Sequence, residues 1–175
     1  MKKNILITGV PGIGKTTLIM KILDAVKHTG PVGFYTEEIR EQGTRKGFSL
    51  ISTRGDRSIL AHVNIKSRFK VGKYSVDVSG FEAFIEKLPL FDDNAGTIVI
   101  DEIGKMECLS TKFAKLIRTV FDSEKLLIAT IAMKGEGLIA EVKKRLDIEI
   151  FEITRDNRDD LFQKILNHTS SKPSR

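Results

Sequence analysis

Apolar positions along this chain follow two rhythms. One consists of short runs without polar interruption, Ile5-Leu6-Ile7, Ile98-Val99-Ile100 and Leu126-Leu127-Ile128-Ala129, as expected of parallel strands buried on both faces. The other places Phe81, Phe84, Ile85 and Leu88 at three- and four-residue spacing, which lays one apolar stripe along a helix. Read this way, strands at 3–8, 32–36, 97–101, 125–131 and 148–153 alternate with helices at 15–28, Ser79 to Leu88, Ser110 to Phe121, 137–145 and Asp156 to Leu166. Strands separated by helices imply right-handed crossovers and an α/β three-layer sandwich on a mostly parallel sheet. Between 44 and 78 the pattern shortens to alternating runs, Gly47–Ile51 and Ser58–Val63, split by Thr53-Arg54-Gly55-Asp56-Arg57. That segment reads as a hairpin insertion that either extends the sheet or flaps over one face, with Tyr74–Val78 as one more strand. Residues 1–167 read as a single domain, and 168–175 as a flexible polar tail.

Composition narrows the class. With 175 residues, 41% of them hydrophobic and 30% charged, the chain has the make-up of an ordinary soluble protein. No apolar stretch approaches the roughly 20 residues of a membrane helix. No secretory signal is expected either, because the run after Met1-Lys2-Lys3 belongs to the first strand. The lone Cys108 suits a reducing cytoplasm. A net charge of +6, densest at Lys66, Arg68, Lys70 and Lys73, comes without an aromatic platform or recognition motif, so it reads as a solvated face rather than a nucleic-acid site. His28 and His62 have no partners at metal-ligand spacing.

The chemistry is concentrated in Gly9-Val10-Pro11-Gly12-Ile13-Gly14-Lys15-Thr16. This stretch fits G-x-x-x-x-G-K-[ST] between a strand and a helix, the context that makes a phosphate cradle (Walker A). Glycines let successive backbone N–H groups face phosphate oxygens, and the helix N-terminus adds partial positive charge. Lys15 is then placed to reach the β- and γ-phosphates, and Thr16 to offer its hydroxyl to Mg²⁺. The buried run 97–100 ends in Asp101-Glu102. In open α/β sheets ligands bind beyond the carboxyl ends of the strands. Asp101 therefore reads as the Walker B aspartate that holds Mg²⁺, and Glu102 as a general base for the attacking water. Neighbouring residues of a strand point to opposite faces, which weighs against Glu102. Lys105, Arg155 and Arg158 are candidate cations for the transition state, or ordinary solvated charges.

The blocks Gly9–Leu18, Gly33-Phe34-Tyr35-Thr36-Glu37-Glu38, Val71–Asp77, Asp101-Glu102-Ile103-Gly104-Lys105-Met106-Glu107 and Asn157-Arg158 together resemble the small cancer-related or thermostable nucleoside-triphosphatase family. The adjoining acids further resemble the additional-strand class of P-loop ATPases, in which another strand separates the cradle strand from the Walker B strand. Leu126–Ile131 would be that strand, with Thr130 facing the γ-phosphate or bonded to backbone. The resemblance implies a RecA-like or kinase-like P-loop domain; the chain is expected to act as a monomer. It would hydrolyse ATP, GTP, CTP and UTP slowly with Mg²⁺, its nucleotide contacted by residues 9–16, Thr17, Asn157 and Arg158. It also implies that Tyr35–Glu38 borders the site. Ala132 stands where relatives often carry proline. A small-molecule or nucleotide kinase on the same cradle, and a nucleotide-timed binding module, are the competing classes.

Overall fold

A computed structural model gives the structure of residues 3–170. In chain order the elements are β1 (Asn4–Thr8), α1 (Lys15–Ala25), β2 (Pro31–Glu41), β3 (Thr44–Ser52), β4 (Arg57–His62), β5 (Lys70–Val71), β6 (Tyr74–Val76), α2 (Val78–Ile85), β7 (Thr97–Ile103), α3 (Thr111–Asp122), β8 (Leu126–Ile131), α4 (Leu138–Lys143), β9 (Ile148–Glu152) and α5 (Arg158–Ser170). All strands join one sheet in the order β5-β6-β4-β3-β2-β7-β8-β1-β9. From β2 to β9 the neighbours are parallel. From β2 outward to β5 they are antiparallel. The segment 44–78 thus extends the sheet rather than covering a face. The additional strand expected at Leu126–Ile131 lies between β1 and β7, paired through Ile5↔Ile128 and Ile98↔Leu127.

Alternation along the central strands separates two cores. Ile5, Ile7, Val99 and Ile128 face α1 and α5, meeting Leu18, Ile19, Ile22, Leu161 and Ile165. Leu6, Ile98, Ile100, Leu127 and Ala129 face the opposite way, onto Phe81 of α2, Phe113 and Ile117 of α3, and Ile139 of α4. Successive side chains of a strand point to opposite faces, so an uninterrupted apolar run is what a sheet covered on both sides demands. Phe34, 1% exposed, anchors the second core by edge contacts to Phe81, Phe84 and Phe113. Aromatic pairs of this geometry add to the burial of their area.

Several elements depart from the pattern read in the sequence: β5 is not among the expected strands, β6 ends at Val76, β7 runs on to Ile103 and α4 is shorter at both ends. The first helix ends at Ala25, and a 3₁₀ turn, Lys27–Thr29, takes the chain to Gly30 at φ 60°. The second begins one residue earlier than expected, because Asp77 Oδ1 accepts from the Gly80 N–H at 2.9 Å and caps it in place of Ser79. It closes at Ile85, shortly before Pro89. Strand β2 runs on past Thr36 to Glu41, sustained by pairing from Phe34↔Ser52 to Glu41↔Thr44. The last helix continues to Ser170; the rest of the expected tail, 171–175, lies outside the described residues. The basic patch sits at the outer edge of the sheet, where Arg68 stacks on Phe69 and Lys73 lies over Tyr74.

The join between β2 and β7 leaves no room for a side chain at Gly33. Its φ is +139°, and a Cβ there would stand 1.8 Å from the Val99 carbonyl oxygen. Gly33→Ala is therefore expected to cost more than the ~1–3 kcal/mol of an unfavourable backbone conformation alone, read as a lowered Tm. A melting curve superimposed on that of the wild type would contradict this packing.

Candidate active site

The cradle is built where β1 hands over to α1. Gly12 and Gly14 take φ of +77° and +111°, left-handed conformations that glycine adopts without steric cost. Gly9 allows a different closeness: a Cβ there would meet the Ile153 carbonyl oxygen at 2.8 Å. Helix α1 has no side-chain cap at its N-terminus and no acid in its first turn, so its leading N–H groups and positive dipole end stay available to an anion. Lys15 folds back over the loop, Nζ donating to the carbonyls of Gly9 at 3.0 Å and Val10 at 3.4 Å.

The acidic tip of β7 arrives beside this cradle. Asp101, 1% exposed, accepts a hydrogen bond from Thr16 Oγ1 at 2.6 Å, a longer one from Thr36 Oγ1 at 3.5 Å, and a short one from Thr130 Oγ1. Three threonine hydroxyls thus converge on one carboxylate from α1, β2 and β8. On the strands flanking β7, Phe34 and Ala129 both pair with Ile100, which is why Thr36 and Thr130, just beyond them, reach its tip. Thr130 is bonded to a side chain, so the backbone partner that the sequence left open is not the one it takes. Thr36 was visible only as a member of the Gly33–Glu38 block; the signal that finds it is a hydroxyl near the carboxyl end of a strand flanking β7.

Glu102 comes to the same place. Its Oε2 lies 4.0 Å from Lys15 Nζ, although strand alternation argued for the opposite face. The pairing of β7 with β8 loses its regular register between Ile100 and Ile103, which breaks the alternation there. Burial raises the Glu102 carboxyl above its ordinary pKa; Lys15 opposes this and Asp101 adds to it. The sequence also passed over Glu107, a buried acid just beyond Gly104, which stood out in the sequence only as the end of the Asp101–Glu107 block.

The outer candidates divide. Arg158 borders the cradle: its Cδ is 4.0 Å from the Cβ position of Gly14, and its guanidinium is exposed, 3.8 Å from Asp159. Asn157 spends its side chain on structure, accepting from the Thr154 N–H at 2.8 Å and donating to the Glu152 carbonyl at 2.8 Å. Lys105 is exposed and lines a cleft of about 490 Å³ with Cys108, Leu109, Lys134 and Ile139. Among the described residues no hydrogen bond or ion pair joins it to Asp101, Glu102 or Lys15. Glu37 and Glu38 are paired in the hairpin extension, Glu37 with Arg57, and Glu38 with Arg40 and Arg45. Arg155 is exposed on the loop after β9.

Comparison with known proteins decides the family: the family described as NTPase matches residues 4–166. The chain belongs to the NTPase family. Similar to this family member is the nucleoside-triphosphatase THEP1 of Thermotoga sp. (strain RQ2), 44% identical over 164 residues that make up 93% of each chain. The crystal structure of THEP1 from the hyperthermophile Aquifex aeolicus superimposes with a TM-score of 0.82 at 36% identity, over 94% of this chain and 98% of that one. The solution structure of a human cancer-related nucleoside triphosphatase gives 0.81 at 34%, over 98% and 100%. The family thus shares the α/β P-loop architecture, antiparallel part included. Among the described residues of this member, no helix is long and apolar enough to cross a membrane.

Proposed function

We propose that this protein is a Mg²⁺-dependent nucleoside-triphosphatase that cleaves the β–γ phosphoanhydride of ATP, GTP, CTP and UTP with little regard for the base, slowly, in the cytoplasm. The observation that carries this reading is the 2.6 Å hydrogen bond from Thr16 to Asp101, which ties the cradle to the acidic strand tip in one oxygen-rich corner. A hydroxyl and a single carboxylate suit Mg²⁺, which keeps several waters and takes its remaining ligands from phosphate. No cluster of three or more His, Cys, Asp or Glu able to hold a metal occurs among the described residues, so the donor set suits a cation delivered with the triphosphate. Thr16 and Asp101 would hold it. When bound it neutralises charge on the β- and γ-phosphate oxygens.

The chain's own groups do the rest. Backbone N–H groups of residues 9–16 other than Pro11, which has none, bind the phosphates, and Lys15 gives up its loop carbonyls to take the β- and γ-oxygens. Glu102 accepts the proton of the attacking water, and its raised pKa brings it closer to the pH at which it works. Arg158 is the cation placed to steady the nucleotide from the rim of the cradle, and its exposure favours no particular base edge. Lys105 faces a neighbouring cleft and supplies positive charge at longer range. Broad base tolerance predicts phosphate release from all four Mg-nucleotides at comparable kcat/KM. A preference for one of them beyond about 10²-fold, more than a pocket that reads only size and apolar shape achieves, or no release from any, would refute the proposal.

A further inference from the structure

Two acids are buried among the described residues, Asp101 and Glu107, and hydrolysis as described uses only the first. Glu107 is 4% exposed and opens the 3₁₀ turn Glu107–Leu109 between β7 and α3. Burial, helped by the like charges of Glu102 and Asp101 and opposed by hydrogen bonds from the backbone of Glu107 and Gly104, pushes its carboxyl up to about 8. A buried acid without a cation partner takes up a proton instead of staying charged, and a protonated carboxyl becomes a hydrogen-bond donor.

What that donor faces is given by Gly104. A Cβ at this glycine would stand 2.5 Å from Oε1 of Glu102 and 2.8 Å from Oε2 of Glu107, so both carboxyl groups lie over the same α-carbon. The other Glu102 oxygen, Oε2, is the one turned to Lys15. The turn carrying Glu107 is firmly seated: Cys108 N–H donates to the Gly104 carbonyl at 3.0 Å. Ser110 caps α3 through the Phe113 N–H at 3.0 Å and donates to Glu82 at 2.7 Å.

We propose that Glu107 is a positioning residue for hydrolysis: from its seat over Gly104 its carboxylic acid engages Oε1 of Glu102 and keeps Oε2 turned toward Lys15 and the attacking water. This rests on Glu102 as the base. Glu107 touches neither nucleotide nor water, and its effect on turnover passes entirely through Glu102.

The test is a double-mutant cycle on phosphate release. Glu107→Met preserves bulk without a donor, whereas Glu107→Gln keeps one. In otherwise unaltered protein, Glu107→Met is expected to lower kcat by about 10-fold or more, as loss of an orienting partner does, with KM for MgATP unchanged. Glu107→Gln restores most of kcat. In a Glu102→Gln background, Glu107→Met adds no further loss, because groups that act as a unit are not additive. Unaltered kcat in Glu107→Met, an equal loss in both backgrounds, or a loss confined to KM would overturn the proposal. Should Glu107→Met fail to fold by circular dichroism, Glu107→Asp carries the test, because the acid is kept but drawn back from Glu102. Reduced kcat at constant KM is then expected in otherwise unaltered protein and no further loss in the Glu102→Gln background; full activity or an equal loss in both backgrounds overturns the proposal. If Glu102→Gln alone is fully active, the base assignment itself is wrong; if it is inactive while Glu107→Met is intact, only the positioning role is.

Discussion

Glu102→Gln is expected to bind Mg-nucleotide much as the wild type does while releasing phosphate roughly 10²–10⁴ times more slowly, the contribution typical of a general base. The amide preserves the shape of the side chain and removes only its capacity to accept a proton. Burial and two charged groups set that capacity: burial raises the pKa, Lys15 lowers it and Asp101 raises it again. In its proposed role as base, Glu102 works deprotonated. Turnover in the wild type should accordingly fall as pH drops through the raised Glu102 pKa, and this acid limb should vanish in the residual activity of Glu102→Gln. Isothermal titration for binding and single-turnover phosphate release for chemistry separate the two effects. Wild-type release by the variant would remove Glu102 from the mechanism.

Asp101→Asn should act on the other half of the corner. Threonine hydroxyls rotate, so the amide retains part of the hydrogen bonding from Thr16, Thr36 and Thr130, and the fold survives. On the proposed reading, the negative charge that would share the cation with the triphosphate is gone. Because a bound metal supplies several kcal/mol of charge stabilisation in the transition state, the expected loss in kcat/KM is at least about 10²-fold. The Mg²⁺ concentration giving half-maximal rate should rise in parallel, and EDTA should abolish release by the wild type. A variant with an unchanged Mg²⁺ requirement would show that Asp101 is a structural acceptor only. Thermal melts run alongside keep a folding defect apart from a binding one.

The parts of this site that could be read from the sequence are those whose chemistry is local. Residues 9–16 carry their own geometry, and Asp101 follows from an apolar run that ends in acids. The order of β1, β8 and β7 followed because two adjoining acids placed the chain in a class. What stayed hidden depends on neighbours distant in sequence. The outer half of β2, with Glu37, Glu38 and Arg40, looks like a polar loop until β3 supplies its hydrogen bonds. Asp77 and Ser79 are both good caps, and only the helix itself shows which one reaches a free N–H. Glu107 is one acid in a short charged stretch, where sequence rules give a solvated side chain. Its burial comes from a turn set among α2, α3 and β7, which no periodicity around position 107 records.

The bonds that converge on Asp101 have a consequence for the chain during synthesis. Its three threonine partners stand 85, 65 and 29 positions away, and Thr130 is the last of them to leave the ribosome. Until β8 has emerged and slotted between β1 and β7, the growing polypeptide has the cradle sequence but no finished pocket. Nucleotide in the cell therefore stabilises only the nearly complete molecule, by mass action on the native state, and gives no hold to the earlier fragments that already display the glycine loop.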